Sequence, residues 1–234
     1  MMILVTGNGN LANELKAQIS QNNMNGEILS KQQMDITDKC EVFEVIKNYM
    51  MKPDYPRYLI HTAAITKPTK ICDINPILSI DTNIVGTSNV AEACNKYGIK
   101  FIYISSDFVY PPNKKSNEND AVGPTNGYGW SKLGGECVTR LIPNSLILRC
   151  ALCDIPFRHE IAFKDVFRNS IKHSDAAKII LSIMDETGVI NVGGECMPVY
   201  DFVSKYQKIS GKNGNGITPS VELDIEKLKE LINE

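Results

Sequence analysis

Tyr128 and Lys132 lie four residues apart in Tyr128-Gly-Trp-Ser-Lys132, a spacing that puts both side chains on one face of a helix. An ammonium beside a phenol stabilises the phenolate and lets a tyrosine exchange a proton near neutral pH. Free tyrosine, with a pKa of about 10, does this poorly. Ser106 upstream adds a hydroxyl at the end of the apolar run Phe101-Ile102-Tyr103-Ile104. The chain carries its own control, because Tyr110 and Lys114 are also four apart. Pro111 and Pro112 between them are incompatible with a helix interior, whereas Leu133, Cys137, Val138 and Leu141 continue the other segment at helical spacing. Only Tyr128 and Lys132 are expected to face the same way.

A second constellation opens the chain. The run Ile3-Leu4-Val5 ends in Gly7-Asn8-Gly9-Asn10-Leu11-Ala12, after which Leu11, Leu15 and Ile19 recur at helical spacing. This reads as strand, glycine turn and helix. Glycines there permit tight backbone geometry and let a pyrophosphate approach the amides of the helix terminus, so the turn points to a dinucleotide. Discrimination between the two nicotinamide dinucleotides depends on the end of the second strand. That place holds Ser30-Lys31, and a base there accepts a 2′-phosphate, which favours NADPH and keeps NADH as the alternative. Asp35-Ile36 offers a carboxylate to an adenine amine, while capping of the following helix is the competing reading for Asp35 or Asp38.

The elements that must position these groups alternate. Strands are expected at Ile3-Leu4-Val5, Glu27-Ile28-Leu29, Tyr58-Leu59-Ile60-His61, Phe101 to Ile104, Leu146-Ile147-Leu148 and Val189 to Val192. Helices are expected after the first turn, around Val42 to Tyr49, from Ile77 to Tyr97, from Tyr128 onward, and near 174–184, 198–210 and 224–233. The polar stretch from Pro111 to Pro124 crosses the surface. Such alternation predicts an α/β fold with a doubly wound parallel sheet of the Rossmann type, ligands lying at the carboxyl ends of its strands. Gly7, His61 and Ser106 all fall at such ends. Residues 1–149 form the NAD(P)-binding unit in this reading, and 150–234 a reduced substrate-binding region packed on it as one compact body.

Composition narrows the function classes. A net charge of −2 with lysines interspersed among acids leaves no basic tract for a nucleic acid or an anionic membrane surface. No apolar run reaches membrane-spanning length, and the apolar start beginning at Met1 is too short for a signal sequence, so it reads as a buried strand. Seven scattered cysteines suit a reduced, cytoplasmic setting. Cys150-Ala-Leu-Cys153 has no second pair or histidine at zinc spacing, and no metal site is expected.

The ordered set of segments resembles the extended short-chain dehydrogenases, and within them the dTDP-4-dehydrorhamnose reductase group. The resemblance rests on the Thr-Gly opening, Asp35-Ile36-Thr37-Asp38, His61-Thr62-Ala63-Ala64, Asn83, Ile104-Ser105-Ser106-Asp107-Phe108-Val109, Tyr128 to Leu133 and Leu148-Arg149. It implies that Tyr128 protonates a substrate carbonyl oxygen while hydride arrives from the nicotinamide, and that Ser106 hydrogen-bonds the same oxygen. Lys132 would favour the ionised phenol and hold the nicotinamide ribose. Gly7, Asn8, Gly9, Asn10 and Leu11 would receive the pyrophosphate, with Lys31, Asp35 and Ile36 at the adenosine end. Ala63 and Ala64 would form a small-residue cofactor wall, and Asn83 would support the proton path or local backbone, a buried structural amide being its competing reading. The implied substrate is a nucleoside-diphosphate 4-keto-6-deoxy hexose reduced at C4, and a homodimer is allowed.

Three departures stand out. The turn reads G-x-G-x-x-A, one residue shorter than the family's G-x-x-G-x-x-G; the stretch between Arg149 and Ser174 is short; and Phe108 stands where Tyr is frequent. Two rival readings remain at the level of sequence. A bifunctional 3,5-epimerase and 4-reductase would need extra acids, for which Cys72 is a candidate against a buried inert thiol. A non-catalytic dinucleotide-binding subunit, similar to a methionine adenosyltransferase regulatory subunit, shares the Ile-Ser-Ser-Asp and Tyr-x-x-x-Lys segments. His61 is expected to be a packed or cofactor-adjacent imidazole rather than a base. Arg158 and Lys164 either meet substrate phosphates or stay solvated, and His159 and His173 carry no assignment.

Overall fold

The computed structural model describes residues 2–66, 70–216 and 218–232. Met1 and Asn233, the outermost positions of the first expected strand and the last expected helix, lie outside them. Six strands, β1 (Met2–Thr6), β2 (Asn25–Leu29), β3 (Pro56–His61), β4 (Lys100–Ser106), β5 (Leu146–Cys150) and β6 (Gly188–Val192), form one sheet. Its order is β6-β5-β4-β3-β1-β2 and every pairing is parallel. The order reverses between β1 and β3, and the crevice beyond their carboxyl ends is where such sheets bind ligands.

Because successive strand residues point to opposite faces, β1 sends Ile3 and Val5 into one core and Met2 and Leu4 into the other. The first core is covered by α1 (Asn10–Gln21), α5 (His173–Ser182) and Leu228 of α7 (Glu226–Ile232). The second is covered by α2 (Lys39–Met50) and α3 (Thr87–Tyr97), and α4 (Gly127–Thr139) packs beside α3 on that side. Strand β6 and helix α5 therefore complete the sheet and the core that residues 1–149 begin.

The expected helix from Ile77 to Tyr97 is present with a different middle. It runs as α-helix over Pro76–Ser79, widens to π-helix over Ile80–Gly86, and resumes as α3. The helix expected over 198–210 is confined to α6 (Val199–Ser204). Residues beyond Cys150 also add pairs of very short strands: Leu152–Cys153 with Ile171–Lys172, Phe167–Arg168 with Met197–Pro198, and Ile161–Phe163 with Ser210–Lys212. Lys115–Ser116 pairs with Glu222–Leu223, pinning the loop after Tyr110 to the carboxyl-terminal segment. Among the described residues no helix is long and apolar enough to cross a membrane.

Candidate active site

The chain leaves β1 through Gly7 at a φ of +87°, and a Cβ there would stand 3.0 Å from the Cα of Ala63. Both the left-handed backbone and the close approach require glycine. The Gly7 amide donates to the Leu29 carbonyl at 2.8 Å, tying the turn to the end of β2. Gly9 caps α1 without a side chain, a Cβ there would meet open space, and the first turn carries no acid. The amides and positive dipole end of α1 are thus left facing a cavity that suits an anion.

Two cavities adjoin at this point and share Gly9, Thr62, Ala64 and Thr66. One, of about 360 Å³, runs past Gly7, Asn8, Lys31, Asp35, Ile36 and Ala63. The other, of about 300 Å³, holds Asn10, Leu11, Ser106, Tyr128 and Lys132. Lys31 sits 3.4 Å from the Asp35 carboxylate. The two readings of the acids separate cleanly: Asp38 caps α2 by accepting from the Glu41 amide at 3.1 Å, and Asp35 faces the cavity. Asp35 accepts from the amide and hydroxyl of Thr37, and chiefly that amide bond holds its carboxyl below the usual range.

Helix α4 begins where Asn126 accepts from the Gly129 amide at 2.8 Å, which places Tyr128 in its first turn. Tyr128, Lys132 and Glu136 then follow at four-residue spacing along one face. Tyr110 and Lys114 point apart as expected: Tyr110 is buried, and Lys114 pairs with Asp120 at the surface. Burial pushes the Tyr128 phenol well above its ordinary pKa; the Ser106 hydroxyl opposes this, and the Asp107 charge adds to it. Lys132 is 3% exposed, and its ammonium lies over the Tyr103 ring at 4.3 Å. Burial pushes it down to about 7 against the attraction of Glu136.

Glu136 escaped the sequence reading, although its place four residues beyond Lys132 was a usable signal. It accepts from Ser105 Oγ at 2.6 Å and from Arg149 Nε at 3.0 Å and Nη2 at 2.7 Å. Arg149 Nη1 donates onward to Tyr110 Oη at 2.7 Å. A fully buried polar network therefore stands directly behind Lys132. Asp154 was also missed: it accepts from the Asn10 side chain at 2.8 Å and pairs with Arg158 at 2.9 Å, both at the edge of the smaller cavity.

Asn83 is engaged with the local backbone. Its oxygen accepts from the Ile65 amide at 2.7 Å, and its nitrogen donates to Ile65 O at 3.1 Å and Ser131 Oγ at 2.8 Å. The amide is fully buried in the π-helical turn and lines neither cavity. It clamps the backbone after the alanine wall and links that wall to α4. His61 lies between Thr6 Oγ1 at 2.7 Å and Thr87 Oγ1 at 3.1 Å. The Thr87 hydroxyl donates to Asn83 O, which leaves it to accept from His61 Nε2–H and assigns the tautomer. Burial pushes the imidazole down to about 3, so it is a neutral packing group. Cys72 is buried with its thiol on Ile65 O at 3.8 Å.

Comparison with known proteins agrees with this architecture. The RmlD substrate binding domain family matches residues 1–180. A dTDP-4-dehydrorhamnose reductase of Mycolicibacterium smegmatis is 30% identical over 154 residues, 64% of this chain and 45% of that protein. Methionine adenosyltransferase 2 subunit beta of Pongo abelii is 30% identical over 106 residues, 45% of this chain and 30% of that one. The alignments thus span less than half the length of these curated relatives. The crystal structure of dTDP-4-dehydrorhamnose reductase from Bacillus anthracis in complex with NADP superposes with a TM-score of 0.83 at 20% identity, covering 98% of this chain and 92% of that one, a likeness of fold. With the family match running from the glycine turn through α4 to α5, the chain belongs to the RmlD substrate binding domain family.

Proposed function

We propose that the chain is an NADPH-dependent reductase acting on the C4 ketone of a nucleoside-diphosphate 4-keto-6-deoxy sugar. The observation that carries this reading is the meeting of Ser106, Tyr128 and Lys132 in a cavity that continues into a glycine-lined cleft. The residues fit a dinucleotide: open amides at α1 for a pyrophosphate, the alanine wall, Lys31 for an adenosine 2′-phosphate and the Asp35 carboxylate for the adenine amine. When bound, a reduced nicotinamide supplies the hydride. Tyr128, kept protonated by its surroundings, donates its proton to the ketone oxygen, and Ser106 orients that oxygen. Lys132 faces the resulting phenolate and holds the nicotinamide ribose. The Mycolicibacterium smegmatis relative is a dTDP-4-dehydrorhamnose reductase, and the solved Bacillus anthracis enzyme of that name holds NADP.

The bifunctional reading draws nothing from Cys72, whose thiol is spent on Ile65 O outside both cavities. The deciding assay follows NADPH oxidation with freshly generated dTDP- or UDP-4-keto-6-deoxyglucose, with and without an added 3,5-epimerase. Turnover only with the epimerase is the expected result. Turnover without it means that the chain reduces the unepimerised ketone or also epimerises, which the configuration of the product at C3 and C5 decides, and NADPH binding without turnover favours another carbonyl substrate or a regulatory subunit. All seven cysteines are free thiols, which supports a cytoplasmic setting. The exposed Ile77, Ile80, Val85 and Trp130 on the two helical segments beside the site support a homodimer, which sedimentation would test.

Lys31→Ala is expected to raise the NADPH Kd about tenfold and to leave the NADH Kd within about twofold, since only NADPH carries the 2′-phosphate. Fluorescence titration of both cofactors measures this. An equal change in both would remove Lys31 from cofactor discrimination.

A further inference from the structure

Arg168 arrives at the site from the carboxyl-terminal region, on the two-residue strand Phe167–Arg168 held by Met197–Pro198 and by a bridge to Val221. Its guanidinium Nε donates to Asp107 Oδ2 at 3.1 Å and Nη2 reaches the same oxygen. It also lies over the Phe108 ring at 4.6 Å, and that ring meets Tyr128 edge-on at 6.1 Å. The other Asp107 oxygen, Oδ1, accepts the Ser106 hydroxyl proton at 3.0 Å, while Ser106 Oγ accepts from the Phe108 amide at 3.3 Å. Arg168, Asp107, Ser106 and Tyr128 line one cavity.

This arrangement sets a problem for the reduction. Ser106 owns one hydroxyl proton, and in this structure a carboxylate holds it. To orient a ketone oxygen, Ser106 must turn that proton away from Asp107, and a charge-assisted hydrogen bond is roughly twice as strong as a neutral one. Asp107 is also 1% exposed, so water does little to screen it. As hydride arrives, negative charge grows on the ketone oxygen beside this fixed negative charge, where the low dielectric enlarges the repulsion.

We propose that Arg168 is a positioning residue for Ser106: by neutralising Asp107 it lets the carboxylate orient the hydroxyl without withholding its proton or opposing the oxyanion. The inference rests on the reductase reading and gives the shortened carboxyl-terminal region a direct part in the chemistry. It also predicts a dependence that a purely structural tie would lack, because the need for Arg168 should exist only while Asp107 is charged.

The test is a double-mutant cycle in the NADPH-dependent reduction assay, using Arg168→Met, Asp107→Asn and the combined variant. Arg168→Met is expected to lower kcat at least tenfold with the NADPH Kd within about twofold of wild type. Asp107→Asn keeps an acceptor for Ser106, and adding Arg168→Met in that background should cost less than about twofold further. Arg168→Lys, which retains the charge without the two-pronged geometry, should recover part of the Arg168→Met loss. An equal loss of kcat on removing Arg168 in both backgrounds would overturn the inference and leave the reductase reading standing, as would an unchanged kcat. An inactive wild-type chain with each of the keto sugars overturns the reductase reading and this inference with it.

Discussion

Tyr128→Phe is expected to lower kcat by about 10²- to 10⁴-fold, the range that general acids contribute, and to leave NADPH binding within about twofold. The phenol carries the proton that the ketone oxygen needs, and phenylalanine keeps the ring that packs edge-on against Phe108. Single-turnover reduction alongside a cofactor titration separates the two effects. Loss of cofactor binding in parallel with turnover would make Tyr128 a packing residue. The pH profile of the wild-type chain adds an independent check. Lys132 is charged below about 7 and neutral above it in the free protein, so the ammonium that stabilises the phenolate is lost as the pH rises. The value of kcat/KM, which reports the free enzyme, should therefore fall through that region. A profile flat from pH 6 to 9 would detach Lys132 from the proton transfer.

Much of this site was legible in the sequence because it sits where periodicity is strongest. Ile3-Leu4-Val5 before the glycines and the unbroken helical pattern after Tyr128 fix where Gly7 and Lys132 fall, and the paired prolines expose Tyr110 and Lys114 as unrelated. The π-helical turn was not legible. One wide turn leaves the apolar spacing of Ile77 to Tyr97 nearly unchanged, yet it is what carries Asn83 to the Ile65 backbone. The two-residue strands after Cys150 are too short to show a period, so nothing in the sequence announced that Arg168 would be carried to Asp107. Glu136 was missed for another reason: a glutamate on a helix is ordinarily solvated, and its burial is made tolerable by the facing Arg149 on β5 together with Ser105.

That burial leads to the largest expected effect on stability. Glu136→Gln removes a carboxylate that is fully buried against Arg149, itself 1% exposed. Arg149 stays charged: burial works against its charge, yet the hydrogen bonds and charge of Glu136 together with Tyr110 hold its pKa above the ordinary value. Breaking a buried pair from one side leaves an uncompensated charge and costs about 3–5 kcal/mol. For a chain of this size that corresponds to a fall of roughly 6–20 °C in Tm. Arg149→Met in the same chain removes the stranded charge, so the double variant should be more stable than Glu136→Gln alone, as denaturant titration of the three proteins would show. The substitution also takes away the nearest attraction on the Lys132 ammonium, which Glu136 holds against burial. Turnover at neutral pH should then fall in both Glu136→Gln and the double variant, even at temperatures where each is folded, and should recover as the pH is lowered. A double variant no more stable than the single one would mean that the network packs by shape rather than by charge, and the link from Arg149 through Glu136 to the catalytic lysine would fall with it.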